Sequence, residues 1–177
     1  TKEASLTTAL RIVFDAAMKT TSGISFNNVQ LKGRKLQTDI CTNMTQFRIG
    51  KYAVTADIAK MYLQIAVDKK FHKYQHTFVP KRSGGWKEMV MTTLIFGNKA
   101  SPFLALRTLH ELAAENEHKH PMAAKILRAF TYIDDITVSF TSLEKAQQAT
   151  TELQETLDQG KFTLRKWLSN NEEALNR

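Results

Sequence analysis

Three aspartates are the residues of this sequence best suited to chemistry. Asp134 and Asp135 stand side by side in AFTYIDDITVSF (129–140), a run otherwise rich in aromatic and β-branched residues. Ionised carboxylates repel one another and are costly to take out of water, so a like-charged pair between two strand-like runs asks for a reason. A third, Asp57, lies near the end of the strand-like KYAVTADI (51–58), 77 residues before Asp134. If neighbouring elements bring the three together, they make an oxygen-only site for Mg²⁺, which keeps some waters and shares its other positions with phosphates. Two such ions about 3.5–4 Å apart activate an attacking hydroxyl and stabilise a leaving pyrophosphate. A plain hairpin turn is the competing use of Asp134 and Asp135. That job favours Asp-Gly or Asn-Gly, because a type I′ turn needs φ > 0 at both positions. For Asp57, capping the short helix that follows is an equal alternative.

Whether these groups can meet depends on the elements that carry them. KYAVTADI reads as a strand and AKMYLQI as a short turn or helix. QHTFVP and WKEMVMT flank KRSGG, which predicts a hairpin with a Gly-Gly loop. Ser101 and Pro102 predict an N-cap and a first-turn proline opening FLALRTLHELAAENE as a helix. AFTYI and ITVSF then pair as a hairpin linked by the two aspartates. Thr141 to Glu144 has the capping-box pattern, followed by Leu143, Ala146, Thr150, Leu153 and Leu157 at helical spacing until Gly160. KFTLRKW closes as a strand. The order β–(hairpin)–α–β–β–α–β predicts an α+β fold, the ferredoxin-like split βαβ antiparallel sheet with two helices on one face. Residues 1–50 are read as a strand in ALRIVFDAA and a loop-rich stretch with a helical end in GISFNNVQLKGRKLQTDI, forming a small subdomain over the sheet.

Composition bounds the partners. The chain has 177 residues, 42% of them hydrophobic, enough for one domain with a sizeable core. A lone Cys41 excludes a disulfide framework and fits a reducing compartment. No apolar run reaches ~18 residues and no signal pattern opens the chain, so neither a membrane nor export is expected and the localisation read is intracellular. Thr1 in place of an initiator methionine reads as a piece of something longer. Residues 1–100 hold 16 Lys/Arg against 6 Asp/Glu, and residues 101–177 hold 9 against 11. A basic half that holds phosphate backbones beside an acidic half that holds metal explains this asymmetry, as does an ordinary solvated surface.

With these residues in view, a family resemblance becomes plain. TYIDDI (131–136) resembles the Tyr-x-Asp-Asp box of reverse transcriptases, and VTADIAKMY (54–62) is similar to their first catalytic motif, with Tyr62 five positions after Asp57. FHKYQHTF (71–78), FGNKASPF (96–103) and LRIVFD (10–15) resemble further motifs in the family's order. The finer texture of RIVFDAAMKTTSGISFNN, FRIGKYAVTADIAKMYLQI, ASPFLALRTLHELA and LRKWLSN resembles the Bel/Pao group of LTR retrotransposons.

This resemblance implies a polymerase palm plus a small fingers subdomain within 1–177, with 1–50 and 66–96 as fingers and 51–65 and 97–177 as palm. Thumb and RNase H are expected outside the chain. It implies that Asp57 and Asp134 ligate two Mg²⁺, or Mn²⁺ in their place, with the Ile58 carbonyl assisting and Asp135 completing the acidic set. Tyr62 stacks under the incoming sugar and excludes a 2′-hydroxyl, Arg11 clamps the triphosphate, and Gly97 lets backbone approach the nucleotide. Lys2 is a candidate triphosphate lysine by position only. Phe96 departs from the retroviral pattern, which has Gln there, and presents a flat apolar face to the nucleotide. The implied partners are an RNA or DNA template with annealed primer, dNTPs, and the rest of a pol polyprotein with protease, RNase H and integrase. The implied setting is the cytoplasm or virus-like particles. Two rivals stand beside this reading: a decayed or domesticated element that binds nucleic acid without catalysis, and an RNA-dependent RNA polymerase. Lys69, Lys70, Lys73, Lys81 and Arg82 track phosphates or form a solvated face. His110, His118 and His120 lack a second ligand set, which argues against zinc.

Overall fold

A computed structural model describes residues 14–175 of the chain. In chain order its elements are a 3₁₀ turn (Phe26–Asn28), α1 (Ile40–Phe47), β1 (Tyr52–Ile58), a 3₁₀ turn (Met61–Gln64) and α2 (Lys69–His72). There follow β2 (His76–Pro80), β3 (Trp86–Val90), α3 (Ser101–Asn116), α4 (Pro121–Ala129), β4 (Thr131–Tyr132) and β5 (Asp135–Phe140). The chain closes with α5 (Leu143–Gln159), β6 (Leu164–Ser169) and a 3₁₀ turn (Glu172–Leu175). Four strands form one antiparallel sheet in the order β4–β5–β1–β6, and β2 pairs with β3 as a separate hairpin. This is the expected α+β split βαβ arrangement, in which β5 lies between β4 and β1.

Strand alternation decides which side of the sheet carries chemistry. Val54, Ala56 and Ile58 of β1 point to one face, as do Ile136 and Val138 of β5, and all five are buried. They pack with Leu109 and Ala113 of α3, Ile126 and Leu127 of α4, and Leu153 and Leu157 of α5 in a single core cluster. Each fully buried Leu or Ile contributes about 1.5–3 kcal/mol relative to exposure. The intervening residues, including Thr55, Asp57, Asp135 and Thr137, face the opposite side. α1 contacts that side at its far end, where Ser139 donates to the Gln46 carbonyl at 3.2 Å.

Several expectations need correction. A third helix, α4, joins the two expected ones. Its N-terminus starts on Pro121 without a local side-chain cap; the buried Glu152 of α5 instead accepts from the Met122 and Ala123 N–H groups at 2.8 and 3.1 Å. Ser101 is the first helical residue and not the cap, because its buried hydroxyl donates to the Ile95 carbonyl at 2.8 Å and Ala100 takes the cap position. The α5 cap is Ser142, which accepts from Lys145 N–H at 3.4 Å, so Thr141 and Glu144 form no capping box. Of the strand expected in ALRIVFDAA, the described part (14–17) is irregular and ends in a turn. Among the described residues no helix is long and apolar enough to cross a membrane.

Candidate active site

Asp57 and Asp135 are direct cross-strand partners at the ends of β1 and β5. Such partners stand about 4.5–5.5 Å apart at Cβ, close enough for like charges to destabilise the pair. Asp134 occupies the turn between β4 and β5, and its carbonyl accepts the Ile58 N–H at 2.8 Å. The hairpin therefore carries its acidic pair where sequence reading expected it, yet in a different register. Tyr132 pairs with Asp135, so the two-residue link is Ile133–Asp134 and not Asp134–Asp135. Ile133 adopts φ 59°, a left-handed conformation that is an outlier for a β-branched residue and costs about 1–2 kcal/mol. Strain of this kind persists only where surrounding contacts hold it, and Ile133 packs against the core from the turn. Ile58, offered as a carbonyl ligand, has its side chain fully buried in that core.

Two cations on β6 complete the environment of Asp57. Arg165 Nε donates to Oδ1 at 2.6 Å and Lys166 Nζ lies 3.4 Å from Oδ2. Consecutive strand residues ordinarily face opposite sides. Here the β1–β6 register shifts between Thr55 and Asp57, and Lys166 takes φ 53°, so both side chains reach one carboxylate. Asp57 consequently does not cap the following 3₁₀ turn, whose cap position belongs to Lys60 without a side-chain bond. Sequence reading missed Arg165 and Lys166; their place in LRKW, charged residues in a strand predicted to neighbour Asp57, was the available signal.

The carboxylates differ in surroundings. Burial pushes the Asp134 carboxyl above the ordinary Asp value, and the charges of Asp135 and Asp57 push it the same way, partly offset by its own backbone N–H and by Lys166. Negative charge thus accumulates beside Asp134 without a matched cation of its own. An oxygen-only donor set with unneutralised charge suits a hard divalent ion, so the residues fit Mg²⁺ chemically. Among the described residues, however, no three acidic, His or Cys side chains stand as a ready ligand group. The expected meeting of three carboxylates is realised as an Asp57–Asp135 pair with Asp134 at the turn beside it, and Asp57 already neutralised.

Next to Asp134 opens a cavity of about 250 Å³ lined by Met61, Tyr62, Phe96, Ile133 and Asp134. This is below the ~300–1,000 Å³ typical of a site for a whole small ligand, so it suits a fragment such as a sugar. Tyr62 and Phe96 make its aromatic wall, with ring centroids 4.8 Å apart and planes tilted by 51°. Burial first, and the charge of Asp134 second, raise the Tyr62 hydroxyl above its usual value, so it stays neutral. Gly97 has φ 97°, and a Cβ there would collide with the Phe14 carbonyl. Its freedom from a side chain thus serves a backbone crossing within the protein. The loop that follows is gripped by Asn27, which donates to the Gly97 carbonyl at 2.9 Å and accepts from Lys99 N–H at 2.8 Å. Asn98 joins it to the hairpin base through a buried amide contact to Gln75 at 3.2 Å. Arg11 and Lys2 lie outside the described residues.

A split βαβ sheet with acidic residues at adjoining ends of its central strands defines the class of a polymerase palm. The family model for reverse transcriptase (RNA-dependent DNA polymerase) matches residues 7–166, and the chain belongs to that family. Among solved structures it is similar to the foamy viral protease-reverse transcriptase dRH in complex with ds DNA, with a TM-score of 0.65 and 20% identity. That match covers 87% of this chain and 23% of the foamy viral one, so the chain spans under a quarter of that protein's length. No curated protein sequence is similar enough to be matched to it.

Proposed function

We propose that the chain is the fingers-and-palm part of an RNA-directed DNA polymerase from a Bel/Pao-like retroelement, extending a primer 3′-hydroxyl with dNTPs along a template. The observation that carries this reading is the pairing of Asp57 with Asp135 beside the Tyr62–Phe96 cavity: an acidic site and a sugar-sized aromatic pocket share Asp134 as their common wall. The same division assigns 51–65 and 97–177 to the palm, and 1–50 and 66–96 to the fingers. A double-stranded substrate agrees with the DNA-bound state of the foamy viral relative, and the remainder of a pol polyprotein is the context expected.

Asp57 and Asp134 would hold two Mg²⁺, or Mn²⁺, with Asp135 and the Ile58 carbonyl in support. When bound, these ions lower the pKa of the attacking hydroxyl and offset charge on the pyrophosphate. The chain's own residues do the rest. Arg165 and Lys166 balance the charge of Asp57 and hold its carboxylate in place, and Tyr62 sets the floor under the sugar and leaves no room for a 2′-hydroxyl. Phe96 closes the pocket on its apolar side and Arg11 holds the triphosphate. Catalysis then rests on positioning and charge neutralisation, without a covalent intermediate.

Primer extension on an RNA template with a DNA primer, dNTPs and Mg²⁺ tests the assignment. Extension that Asp134→Asn abolishes supports it. No extension by the chain, nor by the longer protein that carries it, would return the assignment to a binder without catalysis.

A further inference from the structure

Gln75 lies between α2 and β2, in the arm that enters the hairpin, and it is buried. All of its polar groups are engaged. Its backbone N–H donates to the His72 carbonyl at 2.9 Å, and its carbonyl accepts from Met91 N–H at 3.0 Å. The side-chain Nε2 donates to the Met91 and Thr93 carbonyls at 2.9 and 3.2 Å, and Oε1 accepts from Asn98 Nδ2 at 3.2 Å. A buried amide is costly unless bonded, and an apolar side chain of the same length would fill the space without that cost. The glutamine is therefore explained by what it holds, the returning arm from Met91 to Asn98.

That arm carries Phe96, one of the two rings of the sugar-sized pocket. Its partner Tyr62 is seated in the core cluster and is 7% exposed, whereas Phe96 is 45% exposed. The gap between the rings is thus set from the Phe96 side. Asn27 and Gln30 grip the loop after Phe96 through Gly97, Lys99 and Ala100, and Ser101 holds the Ile95 carbonyl. The Asn98–Gln75 bond ties the same loop to the hairpin arm, and among the described residues no other side-chain hydrogen bond does so. Asn98 is itself buried, and its Oδ1 has no partner among the described residues, so the tie depends on this one bond.

We infer that Gln75 is a positioning residue for sugar selection: through Asn98 and the Met91 and Thr93 carbonyls it fixes the loop that presents Phe96 to Tyr62. Gln75 does not line the pocket, so it acts through the Phe96 ring. A displacement of about 1 Å in a positioning group can alter rates by up to ~100-fold. Without the tie the ring drifts outward, the pocket widens, and a ribose 2′-hydroxyl gains the room that Tyr62 and Phe96 together deny it. The inference rests on the polymerase reading of the pocket.

Steady-state primer extension, by this chain or by the longer protein that carries it, compares Gln75→Met with the wild type for a dNTP and its matching rNTP. The dNTP KM is expected to rise and the dNTP-over-rNTP ratio of kcat/KM to fall, each about fivefold, the scale of one net hydrogen bond. Asn98→Ala removes the tie while leaving Gln75 on both carbonyls, and it is expected to shift the ratio the same way. If Gln75→Met does not fold, Asn98→Ala decides the question. In a Phe96→Ala background neither variant should shift the ratio further. A merely destabilised enzyme has fewer active molecules, which lowers the apparent kcat and leaves KM and the ratio unchanged; that result would overturn the inference alone. A shift that persists without the Phe96 ring would also overturn it, since Gln75 would then act elsewhere. No extension by any form would overturn the polymerase reading and this inference together.

Discussion

Arg165 Nε donates to Asp57 Oδ1 at 2.6 Å from the strand position directly opposite, so the first aspartate of the site is neutralised by its own sheet. The pair is mostly shielded, with Asp57 14% and Arg165 27% exposed in their side chains. A carboxylate in this position, beside Asp135 and Asp134, is costly when left alone. Arg165→Gln is expected to destabilise the metal-free protein by about 1–3 kcal/mol. It should also gain more from added Mg²⁺ than the wild type does, because the ion binds the folded state alone and meets no competing guanidinium. Thermal denaturation in EDTA and in millimolar Mg²⁺ checks both; equal Mg²⁺ gains would show that Arg165 does not compete for Asp57.

Asp134 works against stability at neutral pH. Its carboxyl is raised by burial and by neighbouring carboxylates, so the folded state binds a proton more tightly than the unfolded chain. For a raised group, stability is fully present below the unfolded pKa, ~3.9, and is lost as pH rises through the folded value. Asp134→Asn is therefore expected to raise Tm at pH 7, and the gain should shrink as pH falls toward ~4. A variant that melts with the wild type at pH 7 would contradict the charge crowding seen here.

Sugar selection is expected to reside in Tyr62, whose ring closes the cavity beside Phe96. Tyr62→Val should let ribonucleotides be incorporated, measured as the ratio of kcat/KM for a dNTP to that for the matching rNTP. Tyr62→Phe keeps the ring and should retain most of the discrimination. An unchanged ratio in Tyr62→Val would remove the assignment and favour an RNA-dependent RNA polymerase.

Gly97→Ala brings a methyl group against the Phe14 carbonyl and imposes a left-handed φ on a residue with a Cβ. The expected loss is about 1–3 kcal/mol, read by chemical denaturation. Since the crossing is made within the protein, the loss should appear without any nucleotide. A loss seen only with dNTP present would instead place the close approach at the ligand.

Much of this layout is legible in the chain. The alternation in KYAVTADI separates Val54, Ala56 and Ile58 from Thr55 and Asp57, and burial follows that pattern. Helical spacing from Ala146 to Leu157 likewise marks the side of α5 that is buried. These signals are local and repeat with the period of the element, so they survive in the sequence. The hairpin register was misread by one residue because Ile133 takes a conformation expected of glycine. α4 was missed because it is nine residues long and its N-terminal N–H groups are satisfied by Glu152, from a helix that follows it in the chain.

The sequence by itself determined that three acids, an aromatic five positions after the first, and a basic N-terminal half occur in the order of a reverse transcriptase. Periodicity and residue type are properties of neighbours along the chain, and that information is complete before folding. The tertiary structure alone decided that Asp57 answers to Arg165 and Lys166, 108 and 109 residues away, through a shifted strand register. It also decided that Tyr62 and Phe96 form one wall, and that Phe78 and Trp86 remain outside the core. Contacts of that range depend on how separate elements register against one another, which packing sets and local pattern does not encode.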